Sequence, residues 1–339
     1  MAILGLDAGG TKILVGIVDD DGKILYSQKY PMHRGEQEKA IGTIFGALDD
    51  FVESTKGMDL PKPEGIGMGT TGLIDFENGI LVSCIGTPVH TPVPVREIIG
   101  SKYHLPVLID NDVHCATIGE GIFGEGRDAK SMFYINVGTG LAAGIFEEGR
   151  LLRGAINATG ETGYINMNVE HSIPFNPGIA SFGDAPQDIA DSGLVEFVAS
   201  GGSLIMSAEA NLPKYPNSAL HKHKAEGQLH AGTIFEEAQK GDELASKLAN
   251  RAILYLGNYI GGLMGLLNPD KIVFGGGVMK NEWFLENVKA TTKATCAVPM
   301  SWDCLKYFGV SRLDAGNVGL IGAAALFKAS PEIAAKQHF

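Results

Sequence analysis

The chain has 339 residues, 46 of them glycine, and a formal net charge of −12, which allows two domains and argues against a nucleic-acid binder or a protein held on an anionic membrane. No apolar run is long enough to span a bilayer, because the longest, around 252–267, is interrupted by Asn258 and several glycines, and no signal-peptide pattern opens the chain. Cys84, Cys115, Cys296 and Cys304 are too scattered for a disulfide framework or a zinc pattern, so a reducing cytoplasm is the expected compartment.

Residues 3–18 begin as an apolar run, break at Gly9-Gly10-Thr11, resume, and end in Asp19-Asp20-Asp21-Gly22. This predicts two strands around a glycine turn, with an Asp-Gly turn after them. Asp7 falls at the end of the first strand. A carboxylate there is costly unless it is paired, hydrated or bound to a cation. The glycines let backbone N–H groups approach an anion, while Thr11 and Lys12 add a hydroxyl and a charge. That combination suits a metal-bound polyphosphate. An ordinary hairpin with a surface Asp and a solvated Lys12 fits the same residues.

A third strand is expected over 23–30, a helix over 36–56 from the spacing of Ile41, Ile44, Phe45, Leu48 and Phe51, and a strand over 65–69 that leads into Thr70-Thr71-Gly72. Segment 79–110 is richer in Pro and Gly, with a short helix near 95–103 and a strand over 106–109. Asp110-Asn111-Asp112 follows, then a small-residue helix over 113–121. Asp112 is the first candidate for a catalytic base, because phosphoryl transfer to an alcohol needs a carboxylate within reach of the attacking hydroxyl. Alternatively, Asp110 or Asp112 caps the helix, and the two roles are compatible.

The opening pattern then returns over 133–149. Gly10-Thr11 aligns with Gly138-Thr139, Gly16-Ile17 with Gly144-Ile145, and Asp19-Asp20 with Glu147-Glu148. This suggests a duplicated ββ unit, one copy per domain, with the two glycine turns on either side of one polyphosphate. Glu161, flanked by glycines, could hold sugar hydroxyls or be exposed. A helix is expected over 192–207 and a polar, Pro-containing loop with partial helix over 211–230. His221-Lys222-His223-Lys224 reads there as solvated in preference to a metal site. Two helices are expected over 236–267, stopped by Asn268-Pro269-Asp270. The strand 271–274 then enters Gly275-Gly276-Gly277, which is either a bare connection or a surface for a flat adenine ring. Asp314-Ala315-Gly316 precedes a last helix over 320–329, and the final residues read as frayed.

Taken together, these segments resemble the ROK family of sugar kinases and repressors. Asp7–Lys12 looks like its D-x-G-G-T-K phosphate signature and Asn111-Asp112 like its catalytic pair. Gly138-Thr139-Gly140 is similar to its second phosphate turn, Gly275–Gly277 to its adenosine turn, and 314–322 to its closing segment. The resemblance implies an α/β, two-domain actin-like ATPase (ribonuclease H-like) fold with duplicated βββαβα units and an interdomain cleft. Residues 1–110 with 320–339 would form one domain and 111–319 the larger second one. It further implies an ATP-dependent sugar kinase with Asp112 as base and Asp7 near Mg²⁺ through water. Gly9, Gly10, Thr11, Lys12, Gly138, Thr139 and Gly140 would lie at the phosphates, and Gly275, Gly276 and Gly277 at adenosine. Gly72, Asn111, Asp112, Glu161, Tyr164 and Glu196 would lie at the sugar, Glu196 standing in a segment similar to the family's G-C-L-E-x-x-A-S-G.

Some positions depart from the family. Its E-x-G-H reads Glu161-Thr162-Gly163-Tyr164 here, and Gln187, Ile189 and Leu194 stand where three zinc cysteines would be, so no structural zinc is expected. Thr87-Pro88-Val89 lacks an asparagine often found at the sugar, and Tyr164 leaves the substrate open. A non-catalytic sugar sensor, or a kinase for another sugar, an N-acylhexosamine or a polyol, are the alternatives, and polyphosphate is an alternative donor. The family's regulators begin with a helix-turn-helix, whereas this chain starts at the first strand, so nucleic acid is not an expected partner. Homodimers are common in the family.

Overall fold

The computed structural model describes residues 1–33, 35–84, 91–167, 193–296, 304–314 and 316–337. In chain order, β1 (Ile3–Ala8), β2 (Lys12–Val18) and β3 (Ile24–Pro31) precede α1 (Gln37–Ser54) and β4 (Ile66–Thr70). The hairpin β5 (Leu73–Asp75) and β6 (Ile80–Ser83) follows, then α2 (Val95–Tyr103), β7 (Val107–Asn111) and α3 (Asp112–Ile122). Next come β8 (Ser131–Val137), β9 (Leu141–Glu147) and β10 (Arg150–Leu151), then the helices α4 (Val195–Ala199), α5 (Gly201–Asn211), α6 (Leu220–Ala225), α7 (Ala231–Gln239) and α8 (Glu243–Leu267). The chain closes with β11 (Lys271–Gly275), α9 (Glu282–Thr295), β12 (Phe308–Val310), α10 (Val318–Ala329) and α11 (Pro331–Ala334).

The first sheet has the strand order β3-β2-β1-β4-β7, and the second has β10-β9-β8-β11-β12. Both are the same sequence of positions: third, second, first, fourth, fifth. In the first sheet β1 is antiparallel to β2 and parallel to β4, and β4 is parallel to β7. In the second, β10 is antiparallel to β9 and β11 parallel to β12. The repeated glycine-turn hairpin therefore extends to a repeated βββαβα topology, in which α3 and α10 are equivalent helices. The chain divides into two compact units. Unit 1 is Met1–Tyr134 with Gly144–Thr159 and Ser311–Phe339, and unit 2 is Ile135–Ala143 with Gly160–Val310. These boundaries differ from the division after residues 110 and 319 expected from the sequence. No helix among the described residues is long and apolar enough to cross a membrane.

Several expectations are corrected. The helix expected over 192–207 is two helices broken at Ser200, whose extended backbone ends α4 and whose hydroxyl accepts the N–H of Ser203 to cap α5. Residue 192 itself lies outside the described residues. The His221–Lys224 tract is helical, in α6, where His223 Nε2 lies 3.0 Å from Glu237 and Lys224 pairs with Glu209. The short strands β5 and β6, α9 and β12 were not expected from the sequence.

Helix α10 is apolar on nearly every side because unit 1 buries it on nearly every side. Glycines let it approach so closely. A Cβ on Gly322 would lie 1.9 Å from the Cys115 carbonyl oxygen of α3, and one on Gly67 of β4 would lie 2.0 Å from the Ala323 carbonyl oxygen. Overpacking of this kind costs roughly 1–3 kcal/mol when the backbone must shift. Gly322→Val is therefore expected to lower the thermal midpoint by several degrees. An unchanged midpoint in a melting experiment would contradict the close helix contact.

Candidate active site

In unit 1, parallel pairing brings the carboxyl ends of β1, β4 and β7 side by side. Asp7 is in register with Gly69, and Gly69 with Asp110. Open α/β sheets bind ligands beyond such strand ends. Gly69 has no side chain, which leaves room for the first turn of α3: a Cβ there would lie 3.2 Å from Cys115 Sγ and 3.8 Å from Asp112 Cα.

Asp110 points inward and is fully buried. Its Oδ1 accepts the Asn111 N–H at 2.8 Å and Asn157 Nδ2 at 2.9 Å, and lies 3.0 Å from His114 Nδ1; its Oδ2 accepts Arg153 Nη2 at 2.7 Å. Burial alone would raise its pKa. The hydrogen bond and charge of His114, the charge of Arg153 and the Asn157 amide outweigh that and hold the carboxyl below its usual range. The Arg153 guanidinium also stacks 3.6 Å from the Phe76 ring centre. Asn157 adopts a left-handed backbone (φ 59°) and donates to the Ile74 carbonyl at 3.0 Å. Arg153 Nε and Asn157 Oδ1 are buried without a hydrogen-bond partner among the described residues.

This arrangement decides which residue caps α3. Neither Asp110 nor Asp112 is the N-cap. Asn111 is, with its Oδ1 accepting from Val113 and His114 N–H at 2.9 and 3.3 Å while its Nδ2 donates to the Gly72 carbonyl at 3.1 Å. Gly72 has a positive φ of 114°, and a Cβ there would lie 2.1 Å from the Ser83 carbonyl oxygen, so the β4–β5 turn needs glycine. Asp112 is the first helical residue. Its Oδ1 accepts the Val113 N–H at 3.0 Å, and the side chain remains half-buried. Crowding by protein raises its pKa, offset in part by the Val113 N–H and the charge of His114.

The first glycine turn closes on itself, with the Gly9 N–H donating to the Lys12 carbonyl at 3.0 Å. Thr11 and Lys12 are exposed. Asp7 is half-buried beneath the turn, and its carboxylate faces the start of α10, where a Cβ on Gly319 would lie 2.5 Å from Oδ2. Loss of solvent, then the charge of Asp112, push Asp7 up to about 7, with Lys12 opposing. Two carboxylates that disfavour each other's ionisation are a suitable setting for a cation. Among the described residues, no group of three or more His, Cys, Asp or Glu is gathered as a metal site.

In unit 2 the second turn repeats the closure, with the Gly138 N–H donating to the Gly140 carbonyl at 2.9 Å. The turn is braced by the N-terminus of α5: Gly201 and Gly202 N–H donate to the Gly138 and Thr139 carbonyls at 2.8 and 3.0 Å. Glu196 accepts the Leu141 N–H at 2.7 Å, so it holds the start of β9 as well as lying near the other acidic residue, Glu161. Burial, the larger cause, and Glu161 raise its pKa, against the Leu141 N–H. Tyr164 follows on a short turn, pushed up to about 12 by burial and then by Glu196 and Glu161. Unit 2 thus brings Glu161, Tyr164 and Glu196 within electrostatic reach of one another, with Glu161 exposed. At the end of β11, Gly276 is left-handed (φ 85°), and a Cβ on it would lie 2.2 Å from the Val137 carbonyl oxygen. Gly277 is exposed with open space around it.

His114, Arg153 and Asn157 were not singled out in the sequence. His114 stands four residues from Asp110, a helical neighbour spacing that could have flagged it; the distant Arg153 and Asn157 carry no such signal. Thr87–Val89, Gln187, Ile189 and Ala315 lie outside the described residues.

A family model described as ROK family matches residues 3–330. A glucokinase from Halalkalibacterium halodurans is 30% identical over 330 residues, covering 96% of this chain and 94% of that one. A xylose repressor from Caldicellulosiruptor bescii is 26% identical over 291 residues, covering 85% of this chain and 69% of the repressor. Among solved structures, a ROK family glucokinase from Streptomyces griseus in complex with glucose and AMPPNP is 25% identical, with a TM-score of 0.75, covering 96% of this chain and 99% of that one. The matched span, the repeated topology and the structural likeness to ROK sugar kinases agree that the chain has the two-domain actin-like ATPase fold and belongs to the ROK family.

Proposed function

We propose that this protein is an ATP-dependent sugar kinase that phosphorylates a hydroxyl of a hexose or hexose derivative. The observation that carries the reading is Asp112: a half-buried carboxylate at the first turn of α3, beside Asn111 and next to the charge of His114. As general base it accepts the proton of the sugar hydroxyl as that oxygen bonds to phosphorus. Its raised pKa favours this, because a stronger base takes the proton more readily. Unit 1 contributes Gly9, Gly10, Thr11 and Lys12 to phosphate binding and Gly72, Asn111 and Asp112 to the sugar. Unit 2 contributes Gly138, Thr139 and Gly140 to phosphate, Gly275–Gly277 to adenosine, and Glu161, Tyr164 and Glu196 to the sugar. The carboxylate of Asp7 fits Mg²⁺ held through water, and Mg²⁺, when bound, neutralises phosphate charge.

The glucokinase relative and the glucose and AMPPNP of the Streptomyces structure support a hexose and ATP. Tyr164, in place of the family histidine, leaves an N-acylhexosamine or a polyol as other acceptors. The repressor relative, together with Tyr164, supports a second reading, a sugar sensor without turnover. An ATP-consumption assay across hexoses, N-acylhexosamines and polyols separates the two. Turnover with at least one sugar is expected; silence with all, alongside measurable sugar binding, favours the sensor.

Asp112→Asn is expected to lower kcat by roughly 10²- to 10⁴-fold, with nucleotide and sugar binding retained by calorimetry. A near-normal kcat would remove the general base from the mechanism. Asp7 gives a prediction on stability. Its folded-state pKa of about 7 lies above the ordinary carboxylate value. It therefore contributes stability that is full below about pH 4 and lost as pH rises through about 7. Asp7→Asn removes that penalty. Without ligand, its melting point should exceed the wild type by an amount that grows from acid to neutral pH, reaching on the order of 5 °C, while turnover falls. A difference independent of pH would contradict the buried charge conflict.

A further inference from the structure

The turn that carries Glu161 and Tyr164 is held from three sides within unit 2. Thr162–Tyr164 is a single 3-10 turn, which the Tyr164 N–H closes on the Glu161 carbonyl at 3.4 Å. The backbone before and after it is fixed. The Ala143 N–H of β9 donates to the Gly160 carbonyl at 2.8 Å, and the Val195 N–H of α4 donates to the Ile165 carbonyl at 3.1 Å. Gly163 is pressed between the same two elements: a Cβ on it would lie 2.2 Å from the Leu141 carbonyl oxygen and 3.0 Å from Glu196 Cβ. The third side is α8. In a 3-10 turn, side chains two residues apart point roughly 120° away from each other. Tyr164 accordingly stays near Glu161 and Glu196, while the Thr162 hydroxyl lies 2.5 Å from the Tyr259 hydroxyl of α8. Tyr259 is 2% exposed, and α8 itself packs against α4, α5, α7 and α9.

We propose that Tyr259 is a positioning residue for the sugar: through its bond to the Thr162 hydroxyl, α8 fixes the Glu161–Tyr164 turn in place against Glu196. This rests on the reading of Glu161, Tyr164 and Glu196 as sugar contacts. Its alternative is a core tyrosine whose hydroxyl merely finds a partner. The other residues that α8 buries are Gly, Ala, Leu, Ile or Met, so Tyr259 is the polar one among them. A phenylalanine would fill the same space. What the hydroxyl adds is a hydrogen bond, and that bond ends on the turn. Sugar hydroxyls are recognised by directional hydrogen bonds, and residues that make them must be held to within a fraction of an ångström by the shell behind them. Thr162 lies between Glu161 and Tyr164 in the chain, so a slip at Thr162 moves both.

The test is sugar binding to the whole chain, measured by calorimetry across hexoses, N-acylhexosamines and polyols, with steady-state kinetics beside it. In Thr162→Val and in Tyr259→Phe, Kd and KM for the best sugar should rise roughly threefold to tenfold. The effect on KM should exceed that on kcat, with KM for ATP near wild type. Thr162→Ser keeps the hydroxyl and should bind the sugar as the wild type does. The double variant Thr162→Val with Tyr259→Phe should be no weaker than either single one, because both remove the same bond. Wild-type sugar affinity in both single variants, even with a lowered melting point, would overturn the proposal. Losses that multiply in the double variant would overturn it as well. Thr162 is only half-buried, so its variants decide the matter if Tyr259→Phe does not fold. A wild type that binds none of these sugars would instead remove the sugar reading of the turn, and the positioning role with it.

Discussion

The proposed catalytic end of unit 1 depends on the solvation of one carboxylate. Asp110 is fully buried, where an isolated charge would be driven to neutralise. Four donors from three parts of the chain replace its water: the adjacent backbone, His114 of α3, and Arg153 and Asn157 after β10. Several consequences follow from that single requirement. The segment after β10 is tied to β7, and the first turn of α3 is fixed through His114. Asn111, not an aspartate, is left to cap the helix, and the Asp112 carboxylate accepts the Val113 N–H and stays half-buried. Breaking one partner of such a buried pair typically costs roughly 3–5 kcal/mol, because the remaining charge is stranded.

The duplicated topology gives each unit a glycine turn that closes on its own backbone, but the two are supported differently. In unit 1, β3 lies alongside, with the Met32 N–H donating to the Thr11 carbonyl at 3.3 Å. In unit 2, the N-terminus of α5 and the Glu196 carboxylate brace the turn. Charge is handled unevenly as well. Asp110 is over-provided with donors, whereas Asp7 loses solvent and is opposed by Asp112, with the charge of Lys12 as a partial offset. Stability is given up at Asp7, the position where the proposed function calls for a cation, which is the usual placement of such conflicts.

The apolar periods made most strands readable, and α1, α2 and the long helix α8 fall close to the expected spans, whereas α7 begins earlier, at Ala231, and α9 was not expected. The cost of a strand-end carboxylate drew attention to Asp7, and the echo of its turn at Gly138 disclosed the repeat. Short elements in Pro- and Gly-rich sequence, such as β5 and β6, left no period to count. The break at Ser200 was hidden because a serine cap inside an apolar stretch looks like a helix interior. The network around Asp110 was beyond reach for a different reason. Arg153 and Asn157 are far along the chain from Asp110, and only the folded sheet brings them to it. Strand alternation alone would put Asp110 and Asp112 on one face; they part because β7 ends at Asn111 and Asp112 opens α3.

In the proposed reaction phosphate passes from ATP to a sugar on this chain. Its most direct test is ³¹P NMR of the purified protein with ATP, Mg²⁺ and each sugar of the acceptor panel. A new phosphomonoester resonance is expected with at least one sugar, rising in step with ADP. ADP accompanied by free phosphate alone, or no ADP with any sugar, would contradict it.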